Sequence, residues 1–143
     1  MLVNKIAFLD IESDGIWGTP KEAGIVLFDK CNNDKSELQF DYLNDLSYFD
    51  NQIANCICDC DMVIVWHPWT KSYISQFLDK TSNAINDKFY MEFVTLHSIL
   101  KNKDGHISTI AHLTERIANK QHNGKALDDA RDLFDCYFKL LEK

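Results

Sequence analysis

The spacing of apolar positions changes character along the chain. Ile6 to Leu9, within "VNKIAFLDIE", form an unbroken apolar run that ends in acids. A short run of this kind predicts a central strand buried on both faces. "EAGIVLFD" predicts a second strand, and "CNNDK" a turn. "SELQFDYL" alternates Leu38, Phe40 and Tyr42 with polar residues, the period of a half-buried third strand. Connections this short favour an antiparallel meander.

Beyond the meander the period becomes helical. Leu46, Phe49, Ile53, Cys56 and Cys60 recur at spacings of 3, 4, 3 and 4, which predicts a helix from Leu46 to Cys60 with these residues on its core face. "DMVIVWH" is a second fully apolar strand, followed by a helix through Tyr73, Ile74, Phe77 and Leu78. "KFYMEF" predicts a short strand and "VTLHSIL" a short helix. Ser108 or Thr109 is placed to cap a helix carrying Ile110, Leu113 and Ile117. A last helix runs from about Ala126 to Leu141, its core face Ala130, Leu133, Phe134, Tyr137, Leu140 and Leu141. Three strands followed by strands alternating with helices predict an α/β fold. Its sheet is mixed, antiparallel at one side and parallel at the other, with helices packed on it. Ligands in such sheets bind beyond the carboxyl ends of the parallel strands.

Composition narrows the class. The chain has 143 residues, 45% of them hydrophobic and 12% aromatic, which fits a single globular domain over 1–143. No apolar run approaches the ~20 residues of a membrane span. The short apolar run in "MLVNKIAFLD" lacks a small-residue cleavage site, so no signal peptide is read and a cytoplasmic location is expected. The five cysteines are then reduced thiols. Cys56, Cys58 and Cys60 resemble a metal site by density alone, but on a helix Cys58 points away from the other two. Buried free cysteine is the expected state, not zinc. The net charge of −7 argues against broad, non-specific duplex binding. It is compatible with a carboxylate site whose charge a metal offsets.

Asp10 and Glu12 end the first strand, and the two-residue period of a strand puts both on one face. Carboxylates at the tail of a buried strand are costly unless paired or metal-bound. Oxygen ligands suit Mg²⁺ or Mn²⁺. The simpler alternative is a strand ending in acids at the solvent boundary. In the last helix Asp128, Asp132 and Asp135 form an acidic stripe that reads as solvated. Asp129 lies four residues before Leu133 and seven before Cys136, on the border of the core face, and leans toward the sheet. It is a third candidate ligand, or else a first-turn acid favoured by the helix dipole.

These residues also carry a resemblance. "FLDIESDGI" is similar to the first motif of the DEDD-type 3′–5′ exonucleases, the DnaQ-like group within the ribonuclease H-like fold, which reads roughly hydrophobic-Asp-x-Glu-Thr-Thr-Gly-Leu. Asp10, Glu12, Ser13, Gly15 and Ile16 fall on it in register, with Asp14 replacing the second Thr. "MVIVWH" resembles the strand leading to the second motif, Val-x-His-Asn-x-x-Phe-Asp. "ALDDARDLF" resembles the third, His-x-Ala-x-x-Asp-Ala, with Asp129 and Ala130 on its last pair. The three segments span the chain in the family's order.

The resemblance implies a ribonuclease H-like mixed sheet and a site in which two divalent ions, Mg²⁺ or Mn²⁺, straddle a scissile phosphate. Asp10 would bridge the ions, and Glu12 and Asp129 would hold one of them. Backbone at Ser13 and Gly15 would meet the terminal nucleotide, and Ile16 would wedge against the last base. His122 would be the general base. The implied substrate is the 3′ end of single-stranded DNA or RNA, or a short oligonucleotide. Trp17, Trp66 and Trp69 lie near the first two motifs, where tryptophans can stack on unpaired bases; core packing is the expectation for Trp66, inside an apolar run. His97, His106 and His112 carry no motif and read as structural or surface residues.

Two departures define a rival reading. The second motif places an aspartate five residues after its histidine, where this chain has Ser72, with Lys71 beside it. The family histidine lies five before the last aspartate, at Gly124; His122 is seven before Asp129. The rival is a pseudo-exonuclease, the same fold kept as a module that binds nucleic acid or a protein partner.

Overall fold

The computed structural model describes residues 4–13, 19–66, 68–81, 92–95 and 125–140. Five strands, β1 (Lys5–Ser13), β2 (Pro20–Asp29), β3 (Asp34–Asp41), β4 (Met62–Val65) and β5 (Glu92–Thr95), form one sheet in the order β3-β2-β1-β4-β5. The helices among the described residues are α1 (Leu46–Ile57), α2 (Pro68–Thr81) and α3 (Ala126–Leu140). β1 pairs antiparallel with β2, and β2 antiparallel with β3. β1 with β4 and β4 with β5 are parallel. The α/β class, the antiparallel meander and its parallel continuation are as the apolar pattern predicts. Among the described residues no helix is long and apolar enough to cross a membrane.

β1 is apolar on both sides because it is central and both its faces are covered. Ala7, Leu9 and Ile11 meet Phe49, Ile53, Ala54 and Ile57 of α1 and Ile74 of α2 on one face. Ile6 and Phe8 meet Ala130, Leu133, Cys136 and Tyr137 of α3 on the other, where Trp66 is buried as expected. Phe8 also sits in an aromatic cluster with Phe28, Phe134, Tyr137 and Phe138. Its edge-on pairs have ring centroids 5.2 Å apart for Phe8–Phe134 and for Phe28–Phe138, a favoured geometry. The cluster fixes the middle and end of α3 over β1 and β2.

Local signals set the turns. Asp29 Oδ1 accepts from the amides of Cys31 and Asn32 at 3.0 and 3.3 Å. Asn33 adopts φ 52°, a left-handed conformation that asparagine tolerates. Asp45 caps α1 by accepting from the Tyr48 amide at 3.0 Å. Pro68 opens α2, where its missing N–H costs no helical bond.

Several expectations need correcting. α1 ends at Ile57, not Cys60. Asp61 draws the chain back to the start of β1: its carboxylate accepts from the Asn4 and Lys5 amides at 2.9 and 3.0 Å. The chain must therefore turn early for Met62 to pair with Ile6. Leu46, expected in the core, is 47% exposed, and the buried face is Phe49, Ile53, Ala54 and Ile57. Leu46 is the first helical residue, at the end of the helix rather than against the sheet. Cys60 is buried, Cys56 partly so and Cys58 exposed, all as free thiols. Val94 and Thr95, expected to open a helix, instead pair with Ile64 and Val65 in β5. The first residues of "KFYMEF", the remainder of "VTLHSIL" and the helix expected after Ser108 or Thr109 lie outside the described residues.

Candidate metal centre

The face of β1 that carries Ile6 and Phe8 continues into Asp10 and Glu12, by the two-residue period of a strand. β4 pairs with Ile6 to Phe8 and reaches no further along β1. The two acids therefore extend past the parallel partner, at the carboxyl end of the central strand. On the other side Asp10 lies opposite Gly24 and Glu12 opposite Glu22 of β2. A register shift between Glu12 and Ser13 then ends the regular pairing.

α3 reaches these acids because of Gly24. A Cβ at this position would lie 2.2 Å from the Leu127 amide nitrogen and 2.3 Å from the Ala126 carbonyl carbon. The first turn of α3 thus rests directly on the β2 backbone, which no side chain larger than hydrogen permits. The Ala126 amide donates to Glu22 Oε1 at 2.8 Å. One turn on, Asp129 is 4% exposed and is brought to Asp10 and Glu12. One carboxylate oxygen from each of the three lies within 4.8 Å of the others. An ion with ~2.1 Å oxygen bonds spans oxygens up to about 4.2 Å apart, close to that spacing.

The electrostatics fit a hard cation. Burial pushes the Asp10 carboxyl well above the ordinary carboxylate range, and the charge of Asp129 and contact with Glu12 push it further. Its Oδ2 is buried and has no hydrogen-bond partner among the described residues. Asp129 is pushed up to about 8, first by burial and next by contact with Glu12, with the charge of Asp132 adding to the effect. Without a cation, burial favours the protonated form of Asp10 and Asp129. A divalent ion would supply positive charge here and a partner for the buried Asp10 Oδ2.

A pH dependence follows. Carboxyls whose folded pKa is raised contribute stability that is present below their unfolded value of about 4. That stability is lost as pH rises through the folded value, about 8 for Asp129. In EDTA the melting temperature should fall as pH rises across this window, and Mn²⁺ should suppress the fall. Melting curves of wild type and Asp129→Asn from pH 4 to 9 check this. Equal slopes for the two proteins would refute it.

Of the remaining residues expected at the site, Ser13 is the half-buried last residue of β1. Gly15, Ile16 and His122 lie outside the described residues, as do Trp17, His97, His106 and His112. Ser72 and Lys71 are exposed on α2. Asp132, read as part of a solvated stripe, is 3% exposed. It lies roughly 60° around the helix from Asp129, on the flank that also carries buried Cys136. Asp128 instead pairs with Arg131 at 2.8 Å, and Arg131 also pairs with Glu37 of β3.

Glu22 and Gly24 were not singled out from the sequence. A lone glycine inside the strand pattern "EAGIVLFD" is the signal that would have found the second, since it marks a close backbone approach. Comparison with protein-family models and with curated proteins finds no match.

Proposed function

We propose that this chain is a metal-dependent 3′–5′ exonuclease of the DEDD type on a ribonuclease H-like fold, acting on single-stranded DNA or RNA or on short oligonucleotides. The observation that carries the reading is the convergence of Asp10, Glu12 and Asp129 at the carboxyl end of the central strand, from segments more than a hundred residues apart. The antiparallel meander continued by parallel strands supports the fold assignment.

In this reading the three carboxylates hold Mg²⁺ or Mn²⁺. When bound, the metal polarises the scissile phosphate and lowers the pKa of an attacking water. The contact of Asp10 with both other acids supports a role for it as a shared ligand. The buried setting of Asp129 strengthens its interaction with the cation. The base is assigned to His122, and contacts with the 3′-terminal nucleotide to Ser13, Gly15 and Ile16, through the first- and third-motif resemblance. A cytoplasmic site of action belongs to the same proposal.

The rival binding module, directed to nucleic acid or to a protein partner, draws on Ser72. The residue at the second-motif acid position is exposed and uncharged. The test is a single strand labelled at its 5′ end, incubated with Mg²⁺ or Mn²⁺. Progressive shortening from the 3′ end, abolished by EDTA, is expected. Binding of Mn²⁺ without any shortening would sink the enzyme and leave the module.

A further inference from the structure

We propose that Glu22 is a positioning residue of the metal centre: from β2 it caps α3 and so fixes Asp129 over Asp10 and Glu12. This rests on the metal-centre reading above and assigns a role that none of the three motifs carries.

The residue at the capping position of α3 cannot accept through its side chain. The Asp129 amide donates to the Lys125 carbonyl at 2.8 Å, which makes Lys125 the capping position. Lysine has donors and no acceptor, where Ser, Thr, Asp or Asn would normally satisfy a free amide. Glu22 takes over, accepting from the Ala126 amide at 2.8 Å across 104 residues of chain. A capping acid from the sheet does what a local cap does not: it ties the axial position of the helix to the sheet register. Asp129 then follows Ala126 by three residues, about 4.5 Å along the axis. Gly24 fixes the height of the helix over the sheet, and Glu22 fixes where along β1 it starts.

The same bond resolves a conflict of charge. Glu12 and Glu22 are directly opposed across an antiparallel pair, an arrangement that is destabilising for like charges. Turning Glu22 to the helix N-terminus places its charge at the positive end of the dipole. Glu12 is left to the metal. Glu22 is thus held outside the trio whose oxygens converge, yet it decides whether they converge.

The test is Mn²⁺ binding by calorimetry, well below the melting temperature, for wild type and variants. Glu22→Gln keeps an acceptor at the same reach and should bind within about 3-fold of wild type. Glu22→Ala, and Glu22→Asp with its shorter side chain, should bind about 10–100-fold more weakly, the usual loss when a group orienting a metal ligand is removed. Asp45→Ala removes the cap of α1 on the opposite face; it should lower the melting temperature and leave Mn²⁺ affinity unchanged. If wild type binds no Mn²⁺, the metal centre itself fails and Glu22 with it. If wild type binds but Glu22→Ala and Glu22→Asp bind equally well, or Asp45→Ala weakens binding as much, the positioning role alone is overturned. Tight binding by Glu22→Asp with loss in Glu22→Gln would mean that charge matters and the cap does not, and would also overturn it.

Discussion

In Asp10→Asn, metal-dependent shortening of a single strand should fall by about 10³-fold, roughly 4 kcal/mol of transition-state stabilisation, while the metal-free protein becomes more stable. The two effects have one cause. Asp10 contacts Asp129 and Glu12, and its buried Oδ2 has no donor among the described residues. A buried unsatisfied acceptor costs about 1–3 kcal/mol. Asparagine keeps the shape, removes a carboxyl that is costly to ionise there and adds donors for its two acidic neighbours. The melting temperature in EDTA at pH 8 should therefore rise by about 2–6 °C, and the rise should shrink when the same comparison is made in Mn²⁺. An acid kept for folding would behave oppositely. Loss of activity together with a lower melting temperature in EDTA would show that Asp10 serves the fold and not a cation.

The second large effect is expected at a residue with no chemistry of its own. Gly24→Ala places a methyl group 2.2 Å from the Leu127 amide nitrogen, against backbone that cannot rotate away as a side chain would. Overpacking of this kind costs about 3 kcal/mol. Relief requires the first turn of α3 to lift from β2, which stretches the Glu22–Ala126 bond and carries Asp129 away from Asp10. Both the urea midpoint and Mn²⁺ affinity should drop, the latter about 10–100-fold where the protein is still folded. A Gly24→Ala protein with wild-type stability and wild-type Mn²⁺ affinity would show that the helix does not bear on β2 as described.

The two substitutions separate two layers of the centre. In the proposed centre Asp10 would cost stability without a cation and serve one when bound, a tension between stability and activity. Gly24 and Glu22 set the geometry. A variant that loses Mn²⁺ binding while gaining stability touches the first layer; one that loses both touches the second.

Much of this was legible in the sequence. The unbroken apolar run Ile6–Leu9 marks a strand covered on both faces, and β1 is central. The period-2 spacing of Asp10 and Glu12 puts both on one face. The offset of Asp129 from Asp128 by a single helical step separates the acid that joins the centre from the one that pairs with Arg131. Each is a property of local periodicity, which neighbouring residues determine. What the spacing left undecided depended on distant parts of the chain. α1 stops at Ile57 because Asp61 must reach the start of β1. Val94 and Thr95 join a strand because β4 offers them a parallel partner. Asp132 is buried although its stripe reads as solvated, because burial of a flank depends on what packs there and not on the helix's own pattern. The convergence of the three acids belongs to the same class: Asp129 meets Asp10 and Glu12 where the backbone of β2 at Gly24 admits α3 and Glu22 holds its first amide. Local periodicity determined which faces the acids occupy; their separation was decided by the contact of one helix end with one strand, a long-range distance that no local pattern encodes.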